Sequence, residues 1–179
     1  NVTDTEKAFS MEAWLPEEQE ERVKSAVLKV TDMVYMEFSA PAEEDDIPVL
    51  LSNAKLVEPF EVITELYSLP DPRGIDPNIF MAPFYFVFFG MMLSDAGYGI
   101  ITSLLAGFAL LKFKLAGTAK RFVAMLFLCG ISTIIWGAIF GGWFGDLITV
   151  KPLWLNPLED PMSVLILSFA LGIIQIYTG

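Results

Sequence analysis

Apolar residues crowd into four runs in the second part of the chain, at 79–93, 100–111, 122–145 and 162–179, and the last two carry no formal charge. The third is 24 residues long, more than the roughly 20 that a helix needs to cross hydrocarbon. Before residue 79 the pattern is different. Phe9, Met11, Ala13 and Leu15 alternate with Ser10, Glu12 and Trp14, the period of a half-buried strand. Pro16 and the acids Glu17, Glu18, Glu20 and Glu21 suit a first helical turn, where the helix dipole favours negative charge. Val23, Ala26, Val27 and Val30 then recur at three- and four-residue steps, which predicts a helix over 16–30 with one narrow apolar face packed on a sheet. The stretch 33–38 is rich in β-formers, so strand, helix and strand together predict part of a small α/β lobe.

Residues 39–48 hold two prolines and the run Glu43-Glu44-Asp45-Asp46, which is the chemistry of a solvated, self-repelling linker. A short amphipathic helix is expected over 59–69, with Phe60, Ile63, Leu66 and Tyr67 on one side. Pro70, Pro72, Gly74 and Pro77 then interrupt regular structure before the first long apolar run. The plan is therefore three parts: an α/β lobe at 1–38, an acidic linker and return segment at 39–78, and membrane helices at about 79–94, 98–113, 121–145 and 162–179. In fold class this is part of an α-helical polytopic membrane domain, preceded by part of a small α/β cytoplasmic lobe. Asn1 in place of Met, and an apolar run that reaches Gly179 with no polar flank, predict a piece of a longer chain.

Charge sharpens the division. Residues 1–78 hold 18 acids and six bases, whereas 79–179 hold four and five. Phosphate binding needs clustered Lys and Arg, so the acidic half argues against nucleic acid. With no histidine and the single cysteine Cys129, an intrachain disulfide, the usual zinc sites and Ser-His or Cys-His catalysis are excluded. No metal or other cofactor is expected. No phosphate-binding Gly-rich loop is present either. Lys112, Lys114, Lys120 and Arg121 crowd the loop before the third run, and the positive-inside rule assigns that loop to the cytoplasm.

The first two apolar runs are parted by Ser94-Asp95-Ala96-Gly97-Tyr98-Gly99. They are either one helix of roughly 50 Å or two short helices in a hairpin, and the hairpin, which keeps the acidic lobe cytoplasmic, is preferred. In a single helix Asp95 would lie near mid-membrane, where an ionised carboxylate is costly unless paired or hydrated; in a hairpin it caps a turn. Asp95 and Gln175, a polar residue of the fourth run, are the candidates for an ion pathway. Gly130, Gly137, Gly141, Gly142 and Gly145 are expected to line the third helix as packing positions, with Gly137 and Gly141 at the small-xxx-small spacing.

The segment IDPNIFMAPFYFVFFGMMLSDAGYG, residues 75–99, resembles the part of the large stator subunit of V-type and archaeal-type rotary ATPases where the chain enters the membrane. MEAWLPEEQEE at 11–21, LVEPFEVITELYSLP at 56–70 and GISTIIWGAIFGGWFGD at 130–146 resemble the same family in the same order. This subunit is called I in prokaryotes and a in eukaryotes. Ser94 stands where glycine is common, Tyr98 where eukaryotic relatives tend to have histidine, and Gln175 where many members carry histidine, which points to a bacterial or archaeal member.

The resemblance implies an eight-helix membrane domain with a cytoplasmic N-terminal half, in a multi-pass protein of a prokaryotic plasma membrane. It implies two aqueous half-channels facing a rotating membrane ring of carboxylate-bearing helices. The soluble arm would be held by peripheral stalk subunits against an ATPase head, so ion flow, H⁺ or Na⁺, is coupled to rotation by a subunit that does not itself hydrolyse ATP. The family's essential arginine lies in a late helix; no Lys or Arg occurs at 79–111 or 122–150, so that helix is expected to be absent from this chain. Two other functions compete on the residues alone: a secondary transporter, which calls for inverted repeats not visible here, and a structural membrane anchor.

Overall fold

The computed structural model describes residues 2–5, 8–42, 45, 47–72, 74–145, 147–148 and 150–179. Glu43, Glu44 and Asp46 of the acidic run, and Asp146, lie outside them. Two compact units divide the chain, Asn1–Leu50 and Leu51–Gly179.

In the first unit, strands β1 (Val2–Thr5) and β2 (Ala8–Met11) form an antiparallel hairpin with Val2 opposite Met11 and Thr5 opposite Ala8. A 3-10 turn at Glu17–Gln19 leads into helix α1 (Glu20–Leu28), with four acids at the two starts as the dipole favours. The α/β lobe expected from the sequence is met here only by this hairpin and helix. Residues 33–38 form no strand, and α1 buries no residue, leaving Val23 and Leu28 exposed. β-propensity means a fit to a half-buried pleated surface, and no described strand of this unit presents an edge to that stretch.

In the second unit a 3-10 turn (Glu58–Phe60) opens helix α2 (Glu61–Tyr67), and four apolar helices follow: α3 (Asn78–Leu93), α4 (Ala96–Lys112), α5 (Gly117–Phe140) and α6 (Pro161–Thr178). Helices α5 and α6 are long and apolar enough to cross a membrane; α3 and α4 are shorter, about 24–26 Å at 1.5 Å per residue. This unit packs around α5. Its start touches Phe60, and Phe60, Ala82, Met125 and Cys129 form the buried apolar core, with the Phe60 ring edge-on to Tyr85 at 5.8 Å.

Helices α3 and α4 lie along α5 in opposite directions. Ala82 packs beside Met125 and Cys129, and further on the Ser132 hydroxyl donates to the Phe86 carbonyl, so α3 runs parallel to α5. Ala96 meets Gly137, Gly99 meets Gly130, Ser103 meets Gly130 and Gly107 meets Phe127, so α4 runs back along it. The chain therefore reverses at Ser94 and Asp95, as in the hairpin. Helix α5 ends at Phe140, five residues before the predicted end, because Gly141 takes φ +80°, the left-handed region that terminates helices. Gly141, Gly142 and Gly145 thus lie in the loop after the helix and do not line it.

Candidate functional site

Two polar centres hold this three-helix unit, one at each end. The first is built on Asp95. Ser94, in the left-handed region at φ 49°, ends α3, and Asp95 is the N-cap of α4. Its Oδ1 accepts the amide N–H of Tyr98 at 3.0 Å, which is ordinary capping. The same oxygen accepts the Phe144 N–H at 3.0 Å, and Oδ2 accepts the Gly145 N–H at 2.7 Å. One carboxylate thus closes the α3–α4 turn and the loop after α5 together. The Ala96 N–H donates to the Gly142 carbonyl at 2.9 Å, and the Tyr98 and Phe144 rings meet edge to face at 5.8 Å. Burial pulls the Asp95 carboxyl upward, but the amides of Gly145, Tyr98, Phe144 and Gly97 together outweigh it and hold the group below its ordinary value.

Glycine is required beside this centre. A Cβ on Gly137 would land on the backbone nitrogen of Ala96, and one on Gly130 would lie 2.5 Å from the Ser103 hydroxyl and 2.9 Å from its nitrogen. Helices α4 and α5 touch main chain to main chain there. Gly141 meets Pro152 and Val150 in the loop, Gly142 meets Ser94, and Gly145 faces open space. Gln175 is exposed on α6, and on the same helix the Ser168 hydroxyl donates to the Met91 sulfur at 3.3 Å. Asp95 and Gln175 share no contact among the described residues.

The second centre escaped the sequence reading. Arg121, one turn into α5, places Nη1 2.8 Å from Glu61 Oε2 and 2.8 Å from Glu65 Oε1. The two acids stand one turn apart on α2, so a single guanidinium spans both. The Glu61 side chain is only 4% exposed. Its other oxygen accepts from Asn53 Nδ2 at 2.9 Å, and the same amide donates to Asp76 Oδ2 at 2.7 Å. Asp76 Oδ1 receives the backbone and side-chain N–H groups of Asn78, at 2.8 and 2.7 Å, and the Thr64 hydroxyl donates to Asn78 Oδ1 at 2.6 Å. Every buried polar side chain of this network thus has a partner, as burial demands. The local signal in the sequence was two acids four residues apart on an amphipathic helix; nothing local linked them to Arg121. Among the described residues no group of acids is arranged to hold a metal ion.

A model of the V-type ATPase 116kDa subunit family matches residues 1–149, from the hairpin through both polar centres. The chain belongs to that family. It is 34% identical to the A-type ATP synthase subunit I of Methanocaldococcus jannaschii, over 98% of this chain and 30% of that protein. The corresponding subunit of Pyrococcus horikoshii is 33% identical, over 98% of this chain and 28% of its own length. The V-type ATP synthase subunit I of Borreliella burgdorferi is 31% identical, over 97% and 30%. The chain thus spans less than a third of these relatives. Within the family's matched span lie the two segments, 94–99 and 141–145, that close on each other through Asp95.

Proposed function

We propose that this chain is part of the stator and ion-translocation subunit of a rotary V/A-type ATPase. The observation that carries the reading is the family match over residues 1–149, with relatives named A-type and V-type ATP synthase subunit I. The membrane part, 79–179, faces a rotating membrane ring and contributes to H⁺ or Na⁺ flow. Residues 1–38 belong to the cytoplasmic lobe, and 39–78 join it to the bilayer. Peripheral stalk subunits hold that arm against an ATPase head, where nucleotide is hydrolysed; this subunit does not hydrolyse it.

Charge and direction support the topology. Lys112, Lys114, Lys120 and Arg121 mark the α4–α5 connection as cytoplasmic. Asn78 at the start of α3 is joined to the Arg121 network, which supports a return segment on the same side and the Asp95 turn on the other. Asp95 has both oxygens engaged by amides, which supports a capping role there; Gln175, exposed on α6, is the better candidate for the ion pathway. Arg121 is held by two carboxylates, which supports placing the arginine that serves the ring carboxylates in a helix outside this chain.

In the full-length subunit with Cys129 replaced, single cysteines at the exposed positions Tyr98, Thr118 and Leu158 test the topology with a membrane-impermeant thiol reagent. Labelling of Tyr98→Cys and Leu158→Cys from outside, and of Thr118→Cys only from inside, is expected. Labelling of Thr118→Cys from outside would sink it. The function itself is read from ATP-driven ion uptake by vesicles carrying the whole complex: uptake that persists when this subunit is omitted would overturn the reading.

A further inference from the structure

We propose that Arg121 is a positioning residue: its clamp on Glu61 and Glu65 stiffens the joint through which the soluble arm holds the membrane helices, and coupling of ion flow to rotation depends on it. This rests on the stator reading above.

The segment after Leu51 reaches α5 through two anchors. One is apolar: Phe60 is 2% exposed, seated against Ala82, Met125 and Cys129. Val57 and Ile63 pack beside it, whereas Leu56, Leu66 and Tyr67 are 72%, 81% and 84% exposed. A small apolar contact is non-directional and lets a short segment shift about it. The Arg121 clamp is the second anchor, and it is directional, because a planar guanidinium meets two carboxylates only in a restricted set of orientations. The clamp therefore adds a direction to the seating of α2 against α5.

The network also reaches both neighbouring chain segments. Asn53, two residues into the second unit, bridges Glu61 and Asp76, and Asp76 holds the first residue of α3. A force entering at Leu51 is therefore passed within a few residues to the starts of both α3 and α5. The apolar groove of about 370 Å³ beside Phe60 is lined by α3 and α5 as well, but apolar walls fix no direction.

The test uses the full-length subunit in the intact complex, reconstituted in vesicles, and reads ions taken up per ATP hydrolysed. Arg121→Ala is expected to lower this ratio several-fold while the subunit remains in the complex and ATP hydrolysis continues. The charge swap Glu61→Arg with Arg121→Glu, which keeps Glu65 beside the relocated cation, is expected to return most of it. A wild-type ratio in Arg121→Ala, or a swap no better than the single variant, would overturn the proposal. Should Arg121→Ala not assemble, Glu65→Gln, which leaves the buried Glu61 arm in place, is read instead, and a wild-type ratio there overturns it equally. Wild-type vesicles that hydrolyse ATP without taking up ions would count against the stator reading itself, not against the clamp within it.

Discussion

At the Asp95 end of the helical unit the fixing groups are main-chain amides gathered on one carboxylate, whereas at the Arg121 end they are side chains brought from segments as far as 60 residues apart. The first arrangement satisfies a carboxylate with donors that cannot swing away, which suits a turn closed tightly among apolar helices. The second joins charges whose guanidinium keeps 22% of its side-chain surface exposed, and it depends on long side chains holding one geometry. The ends therefore differ in what should break them: steric and protonation changes at one, loss of a charged partner at the other.

The largest effect is expected from Gly137→Ala. Its Cβ meets backbone, which no side-chain rotation relieves, so α4 and α5 must separate at a cost of about 3 kcal/mol. Denaturant unfolding of the full-length subunit in detergent measures this; a loss well under 1 kcal/mol would mean that the close approach is not a rigid feature of that end. Arg121→Ala comes next, at about 2–3 kcal/mol, because it strands the buried Glu61 carboxylate, with some relief from water at the partly exposed site. This loss should shrink in the double variant with Glu61→Gln, and strict additivity of the two would show that the pair is not coupled.

Asp95→Asn is expected to cost about 2 kcal/mol near neutral pH through weakened bonds from Phe144 and Gly145. The sign of its pH dependence is set by the direction of the shift. The folded carboxyl lies below its ordinary 3.8, so its stabilisation is fully present above that value and is lost as pH falls through the lower folded value. The gap between wild type and Asp95→Asn should therefore close in acid and stay open at neutral pH; an equal gap at both would remove the charge from the explanation. The smallest effect is expected from Gln175→Leu, within about 0.5 kcal/mol because the side chain is exposed on α6. Its ion uptake in the whole complex should fall all the same if Gln175 borders the ion route.

Much of the fold was legible because its signals are local. Four uninterrupted apolar runs became four helices, and Ser94-Asp95 broke the first two because a left-handed residue followed by an N-cap ends one helix and starts another. Charge placement already favoured the reversal that the packing along α5 displays. The overestimate of α5 arose from running the helix to the end of its apolar stretch without knowing that Gly141 turns left-handed. The predicted strand at 33–38 failed for a related reason, since a strand is completed by a neighbour and not by its own composition.

What the sequence by itself determined was where the chain is apolar, where it can turn, and which side of a membrane its charges favour, because each depends on neighbours a few residues apart. Only the tertiary structure decided that Asp95 also closes on Phe144 and Gly145, and that Arg121 pairs with Glu61 rather than standing as a free topological charge. Those partners lie 49, 50 and 60 positions apart in the chain. No periodicity spans such a distance, and the groups meet only because α5 packs between α3, α4 and the return segment.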